Sequence, residues 1–149
     1  MNPLLNKITG SQAGYAALAL RIPIAIIFIA HGSQKLFGLF GGYGLTGTGQ
    51  FMESIGLAPG FLMALFAGSA EFFGGLLILI GLLTRPAAMV LAITMLVAIF
   101  TVHISNGLFL ANNGYEFGLA LFAASLSLAF SGAGRFAIDN LIHNSTAHK

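Results

Sequence analysis

Glu71 stands near the middle of an otherwise apolar run, Phe61 to Leu83 (FLMALFAGSAEFFGGLLILIGLL), long enough to cross a bilayer as a helix. A carboxylate at that depth needs a buried cation, a proton or water to offset its transfer from water. Such a residue is a candidate for proton exchange or for holding a polar ligand. Few other ionisable groups could join it. On the first apolar run, Arg21, Phe28, His31, Gly32 and Lys35 fall within one arc of about 80° at helical spacing, so that helix carries a single polar stripe. Lys35 is expected near one membrane boundary, with His31 roughly one turn (~6 Å) deeper. Arg21 is expected in the other half, about 8 Å from Glu71 in depth and within reach of a long side chain. His103 and Glu116 fall at the level of Lys35 on two further runs, which predicts a cluster of His31, Lys35, His103 and Glu116.

Several chemistries fit these residues. Glu71 with Arg21 is either an ion pair that fixes helix register or a carboxylate that exchanges protons. His31 and His103 are hydrogen-bonded interfacial residues, or donors to a ligand carbonyl with Lys35 or Glu71 completing a proton path. A third reading makes them axial ligands of a haem iron, or ligands of a small ion together with Glu116; the absence of a His-x-x-x-His spacing leaves that metal signal weak. Lys35 is a snorkelling anchor or a stabiliser of negative charge on a reduced ring. Phe72 and Phe73, beside Glu71, are candidate ligand contacts. Gly68, Gly74 and Gly75 would let a neighbouring backbone approach or leave room for a flat ligand. Arg85 reads as an anchor in a tight turn, and Asp139 as a helix-start or surface residue.

The elements that position these groups follow from composition. Of 149 residues, 57% are hydrophobic and 7% charged, against about 25% charged in soluble domains. That excludes an ordinary soluble globule and a disordered chain. The six Lys and Arg are scattered, which gives no nucleic-acid surface. The absence of cysteine excludes thiol redox chemistry, cysteine-bound iron–sulfur clusters and cysteine-ligated zinc. Four apolar segments appear, at about Tyr15–Phe37, Phe61–Leu83, Pro86–Ile104 and Tyr115–Ala133. Helices or closed barrels alone satisfy the backbone in lipid, and no alternating pattern is present, so the fold class is all-α: a bundle of four transmembrane helices. The first run is too long for a signal peptide and is interrupted by Arg21, so it is expected to remain as a span. Six glycines between Gly38 and Gly49 argue against a regular helix there; that stretch is expected to fold back over the cavity. Residues 1–14 form a tail or interfacial segment, 15–134 the bundle, and 135–149 an interfacial helix (RFAIDNLIH) and a frayed tail. Lys7, Arg85, Arg135 and Lys149 lie on one side of this layout and Lys35 on the other, which predicts cytoplasmic termini in an inner membrane.

The chain resembles the DoxX family of small four-helix membrane proteins. The likeness rests on HGSQKLFG followed by the glycine-rich loop, on AEFFGGLLILIGLLTRPAAMVLAITMLVA, on His103 before an Asn/Gly loop, on Glu116 and on GAGRFAIDN, and covers about Ala16 to Leu141. The resemblance implies the membrane fold and, for chemistry, a link to quinone oxidoreduction. On that basis the expected function is a quinone-linked redox component, as a subunit of an oxidoreductase if it is enzymatic at all. An outward-opening cavity lined by His31, Lys35, Glu71 and His103 would hold the quinone, while electrons come from a partner protein or a bound cofactor. Two alternatives stay open: a non-enzymatic scaffold or assembly factor, and a small proton-coupled transporter. Self-association through the glycine face of the second span is a further expectation.

Overall fold

The computed structural model describes residues 7–11 and 14–147. Six helices organise the described chain: α1 (Gly14–Phe37), α2 (Gly44–Ser54), α3 (Gly60–Ile80), α4 (Thr84–Ala98), α5 (Glu116–Ser131) and α6 (Ile138–Ala147). Among the described residues there is no strand. The α4 helix runs on through a π-helical turn, Ile99–His103, and a 3-10 turn, Ile104–Asn106. Among the described residues three stretches are long and apolar enough to cross a membrane: Gly14–Phe37, Gly60–Ile80 and Thr84–Asn106. The fourth apolar helix, α5, has 16 residues; at 1.5 Å per residue it covers about 24 Å, short of the ~30 Å hydrocarbon core. The three long spans and the shorter apolar α5 together form the all-α membrane bundle expected.

Small residues decide which helices touch. A side chain at Gly32 of α1 would collide with the backbone of Phe72 in α3. A Cβ on Gly75 would lie 3.0 Å from the Ile29 nitrogen, and one on Gly68 would lie 3.1 Å from the Lys35 Cβ. These glycines bring α1 and α3 into near backbone contact. The other close pair is α4 with α5. Phe28, Ile78, Leu91 and Leu128 fill the core between the pairs. Toward the Lys35 end the two pairs part, and a cavity opens between them.

The glycine-rich stretch departs from expectation. Gly44–Ser54 is a helix despite Gly44, Gly47 and Gly49. Tertiary packing overrides propensity there: a Cβ on Gly49 would come within 3.1 Å of the Phe61 backbone, so glycine allows α2 to lie directly on the start of α3.

The opposite end of the bundle is tied together by the chain termini. Gly10 and the carbonyls of Ala129 and Phe130 accept hydrogen bonds from Arg85 at 3.0, 3.1 and 2.6 Å. Ser11 accepts from the Gly134 N–H at 2.7 Å. Residues 7–11 are thus docked on the bundle. Asp139, expected as a helix-start or surface residue, is buried. Its carboxylate accepts from the N–H groups of Leu83 at 2.8 Å and Thr84 at 3.0 Å, capping α4 from the far end of the chain. The α6 helix continues through Ala147, where the sequence suggested fraying; residues 148–149, like 1–6, lie outside the described residues.

Candidate functional site

Lys35 and Glu71 meet. The Lys35 ammonium donates to Glu71 Oε2 at 2.6 Å, with the glutamate side chain 5% exposed and the lysine 24%. Lys35 is one turn beyond His31 on the polar stripe of α1, and Gly68, one turn before Glu71 on α3, lets the lysine stem lie against the second helix. The ion pair answers the charge problem posed by Glu71, but with a partner other than the one expected. Arg21 does not reach Glu71. It is 1% exposed and donates instead to the carbonyl oxygens of Ala133 and Phe136, both at 2.8 Å. It points to the terminal end of the bundle because three chain segments converge there and present unpaired carbonyls. The expected role of Arg21 as a ligand contact is thereby corrected: it lies outside the cavity.

The cavity has a volume of about 870 Å³, within the range of small-molecule sites. His31, Lys35, Glu71 and His103 all line it, beside Phe28, Met95 and Phe117. His31 comes from α1, its ring 6.2 Å from that of Phe117 on α5. His103 ends the π-helical turn, and its Nδ1 lies 2.8 Å from the Asn113 carbonyl oxygen. Single π-turns of this kind are frequent at functional sites.

The remaining expected site residues lie elsewhere. Glu116 accepts from the Leu110 N–H and so pins the 107–115 loop to the start of α5, outside the cavity lining. Phe72 and Phe73 also stand outside it. They pack edge-on against each other at 5.2 Å, and Phe72 packs against Phe37 at 5.3 Å. The helical turn carries them past the face that Glu71 presents.

Sequence reasoning missed the contribution of α2. Thr48, Phe51 and Met52 line the cavity from above, and their i, i+3, i+4 spacing was the available signal. A second, shallower basin of about 660 Å³ lies on the other side of α2, lined by Gln34, Tyr43, Gln50 and Ser54. Lys35, Thr48 and Phe51 belong to both spaces, so the lysine stands between a mainly apolar chamber and a basin with a larger polar share. Among the described residues no group of three or more His, Asp or Glu side chains gathers to hold a metal ion. The ammonium carries three donors, of which Glu71 takes one, so the pair can present both a cationic donor and a carboxylate to a guest.

The comparisons with known proteins bear on this architecture. The DoxX family model matches residues 16–104, which includes α1, α3 and α4 with His31, Lys35, Glu71 and His103. This chain belongs to the DoxX family. Relatives match across nearly the whole of both chains. The "Putative oxidoreductase CatD" of Bacillus subtilis (strain 168) is 38% identical over 125 residues, covering 84% of this chain and 85% of its own. "Inner membrane protein YqjF" of Escherichia coli (strain K12) is 37% identical over 131 residues, 85% and 91% respectively. "Uncharacterized membrane protein Rv3486" of Mycobacterium tuberculosis is 31% identical over 147 residues, 92% and 87%. No solved structure matches the chain. This DoxX-family chain is therefore a membrane protein of an all-α bundle class, related to inner-membrane proteins and to one named for oxidoreduction.

Proposed function

We propose that this DoxX-family protein is a small component of a quinone-linked redox system and that its cavity holds a quinone-like ring. The observation that carries this reading is the meeting of an ion pair and two imidazoles on one mainly apolar chamber of about 870 Å³. Lys35, His31 and His103 are the donors for carbonyl oxygens, and Phe28, Met95 and Phe117 are the apolar surfaces for a flat ring. A bound quinone supplies a couple in which electron and proton transfer go together. Glu71 would pass a proton at its carboxylate, and Lys35 would offset negative charge on an oxygen. The basin beyond Lys35 offers a route by which the carboxylate could exchange that proton with water. Electrons would come from a partner protein, and the oxidoreductase name of the Bacillus subtilis relative supports such an association. Arg85 and Arg135 lie beside Gly10 and Gly14 at the end away from Lys35, which supports cytoplasmic termini and a cavity in the outer half.

The test is purification in a mild detergent followed by mass spectrometry of the lipid extract and titration with a soluble quinone. Co-purified quinone or saturable binding, weakened about tenfold by Glu71→Gln or His31→Ala, is the expected result. Protein that carries no quinone and binds none would sink the proposal.

One observation favours a second reading, that of a non-enzymatic scaffold. Glu71 is already held by direct contact with Lys35, so the pair could serve only to join α1 to α3. In that case Glu71→Gln lowers the folded yield and leaves no ligand-dependent property to lose.

A further inference from the structure

We infer that the ligand enters from the bilayer between α3 and α4 and leaves an apolar tail in that cleft. This rests on the quinone-like reading of the cavity and adds the route and the class of ligand: an amphiphile with a linear apolar chain.

Two helix faces oppose each other across the cavity. Met63, Phe66 and Ala70 lie along α3, and Val90, Ile93 and Val97 along α4; all six line the space, and each set repeats at helical spacing. Phe66 is 63% exposed and Ile93 55%, although both line the chamber. Of the large apolar side chains that line the chamber these two are the most exposed, which places its widest gap between α3 and α4. The gap has a floor, because a Cβ on Gly74 would meet Leu91 Cγ at 3.1 Å, so α3 and α4 touch there. On the other inter-pair side the rings of His31 and Phe117 stand 6.2 Å apart, and Phe28 and Leu121 are buried behind them.

Polarity selects the occupant. The α4 wall offers no free hydroxyl, because Thr94 donates to Val90 O at 2.9 Å and Thr101 to Val97 O at 2.7 Å. The ionised groups of the chamber are confined to the Lys35–Glu71 pair at its back. A guest matched to this space is polar at one end and apolar along the rest. A fully polar guest leaves the cleft walls without a partner, and an uncharged alkane leaves the ion pair without one. At the depth of the spans the cleft opens toward acyl chains, so the tail never crosses water.

The chain lacks tryptophan, so a cleft filled by that side chain is a large and localised change. The experiment compares a decyl-substituted benzoquinone with the same ring bearing a methyl group in place of the tail. Binding to the protein in lipid nanodiscs is measured by calorimetry against empty nanodiscs. Val97→Trp should weaken the tailed ligand by about tenfold or more and change the short one by no more than about twofold. Leu119→Trp, on an exposed α5 position outside the cavity, should change neither. If Val97→Trp lowers the folded yield, Val97→Phe takes its place. Equal effects on both ligands, or none on either, overturn the lateral route and leave the quinone reading standing. Loss of the tailed ligand on Gln50→Trp, which narrows the second basin, overturns it in favour of entry from water. A dimer that Val97→Trp dissociates assigns the cleft to a second copy and overturns it too. Failure of the unmodified protein to bind either ring removes the quinone reading and this inference together.

Discussion

Lys35 and Glu71 form a pair whose strength depends on both members. Removing one leaves a charge in a low-dielectric interior, a loss of roughly 3–5 kcal/mol where pairs are buried. Lys35→Met should therefore destabilise the protein by about 3 kcal/mol, and Lys35→Met with Glu71→Leu should recover a large part of that. Thermal unfolding in detergent, followed by circular dichroism, gives the comparison; a double variant no better than the single one would show that the pair is not the source. Arg21 makes the opposite kind of contact, with two backbone carbonyls. Bonds from charged donors contribute about 1.5–3 kcal/mol each, so Arg21→Met should destabilise by roughly 3 kcal/mol. Faster hydrogen exchange in residues 132–140 should accompany it, with no change at the cavity. Glu71 itself was legible as a buried carboxylate in need of a partner, because a lone carboxylate in an apolar run is conspicuous. Its partner was not. Depth along the helix axis can be counted from sequence, but Lys35 reaches Glu71 because Gly68 lets the lysine stem lie against α3, and that contact depends on how two helices are rotated.

At the scale of elements, the α1–α3 contact should be the most sensitive to added volume. Gly32→Ala places a methyl against the Phe72 backbone, and overpacking of that kind costs about 1–3 kcal/mol. Gly118→Ala meets only the flexible end of the Ile99 side chain, at 3.1 Å, and should lose less. Folded yield on size exclusion separates the two; equal losses would mean that the close approach of α1 and α3 is not what holds the pair. The α4 start depends on a residue more than fifty positions away. Asp139→Ala removes the acceptor of the Leu83 and Thr84 N–H groups, and loss of such a cap costs about 1–2 kcal/mol. Exchange at Leu83 and Thr84 should rise in that variant. The spans themselves were legible to within a few residues. The α2 helix was not, because glycine content argues against a helix and only packing on α3 reverses the balance. Nor was the work of Asp139, since a cap supplied from a distant segment leaves no local pattern.

Across the whole molecule, the three long spans and the short α5 put Gly10, Arg85 and Asp139 at one end, with Lys35 and α2 at the other. A fluorescent protein fused after Lys149 should fluoresce and alkaline phosphatase fused there should be inactive; the reverse pattern would invert the orientation and turn the cavity toward the cytoplasm. The bundle is held tightly at the terminal end by Arg21, Arg85 and Asp139 and parts at the Lys35 end. Rigid anchoring at one end and a gap at the other is what allows a chain this small to enclose a chamber.

Membrane residence and helical class were determined by the sequence alone. They are sums over local properties: hydropathy over some twenty residues, the obligation to satisfy backbone groups in lipid, and the 3.6-residue period. That His31, Lys35, Glu71 and His103 would share one cavity was readable for the same reason, since polar residues are scarce in such runs. Only the tertiary structure decided that Lys35 and not Arg21 meets Glu71, that Glu116, Phe72 and Phe73 face elsewhere, and that the chamber opens between α3 and α4. Those outcomes depend on the rotation and separation of helices, set by glycine contacts and by hydrogen bonds between distant segments, which no window along the chain contains.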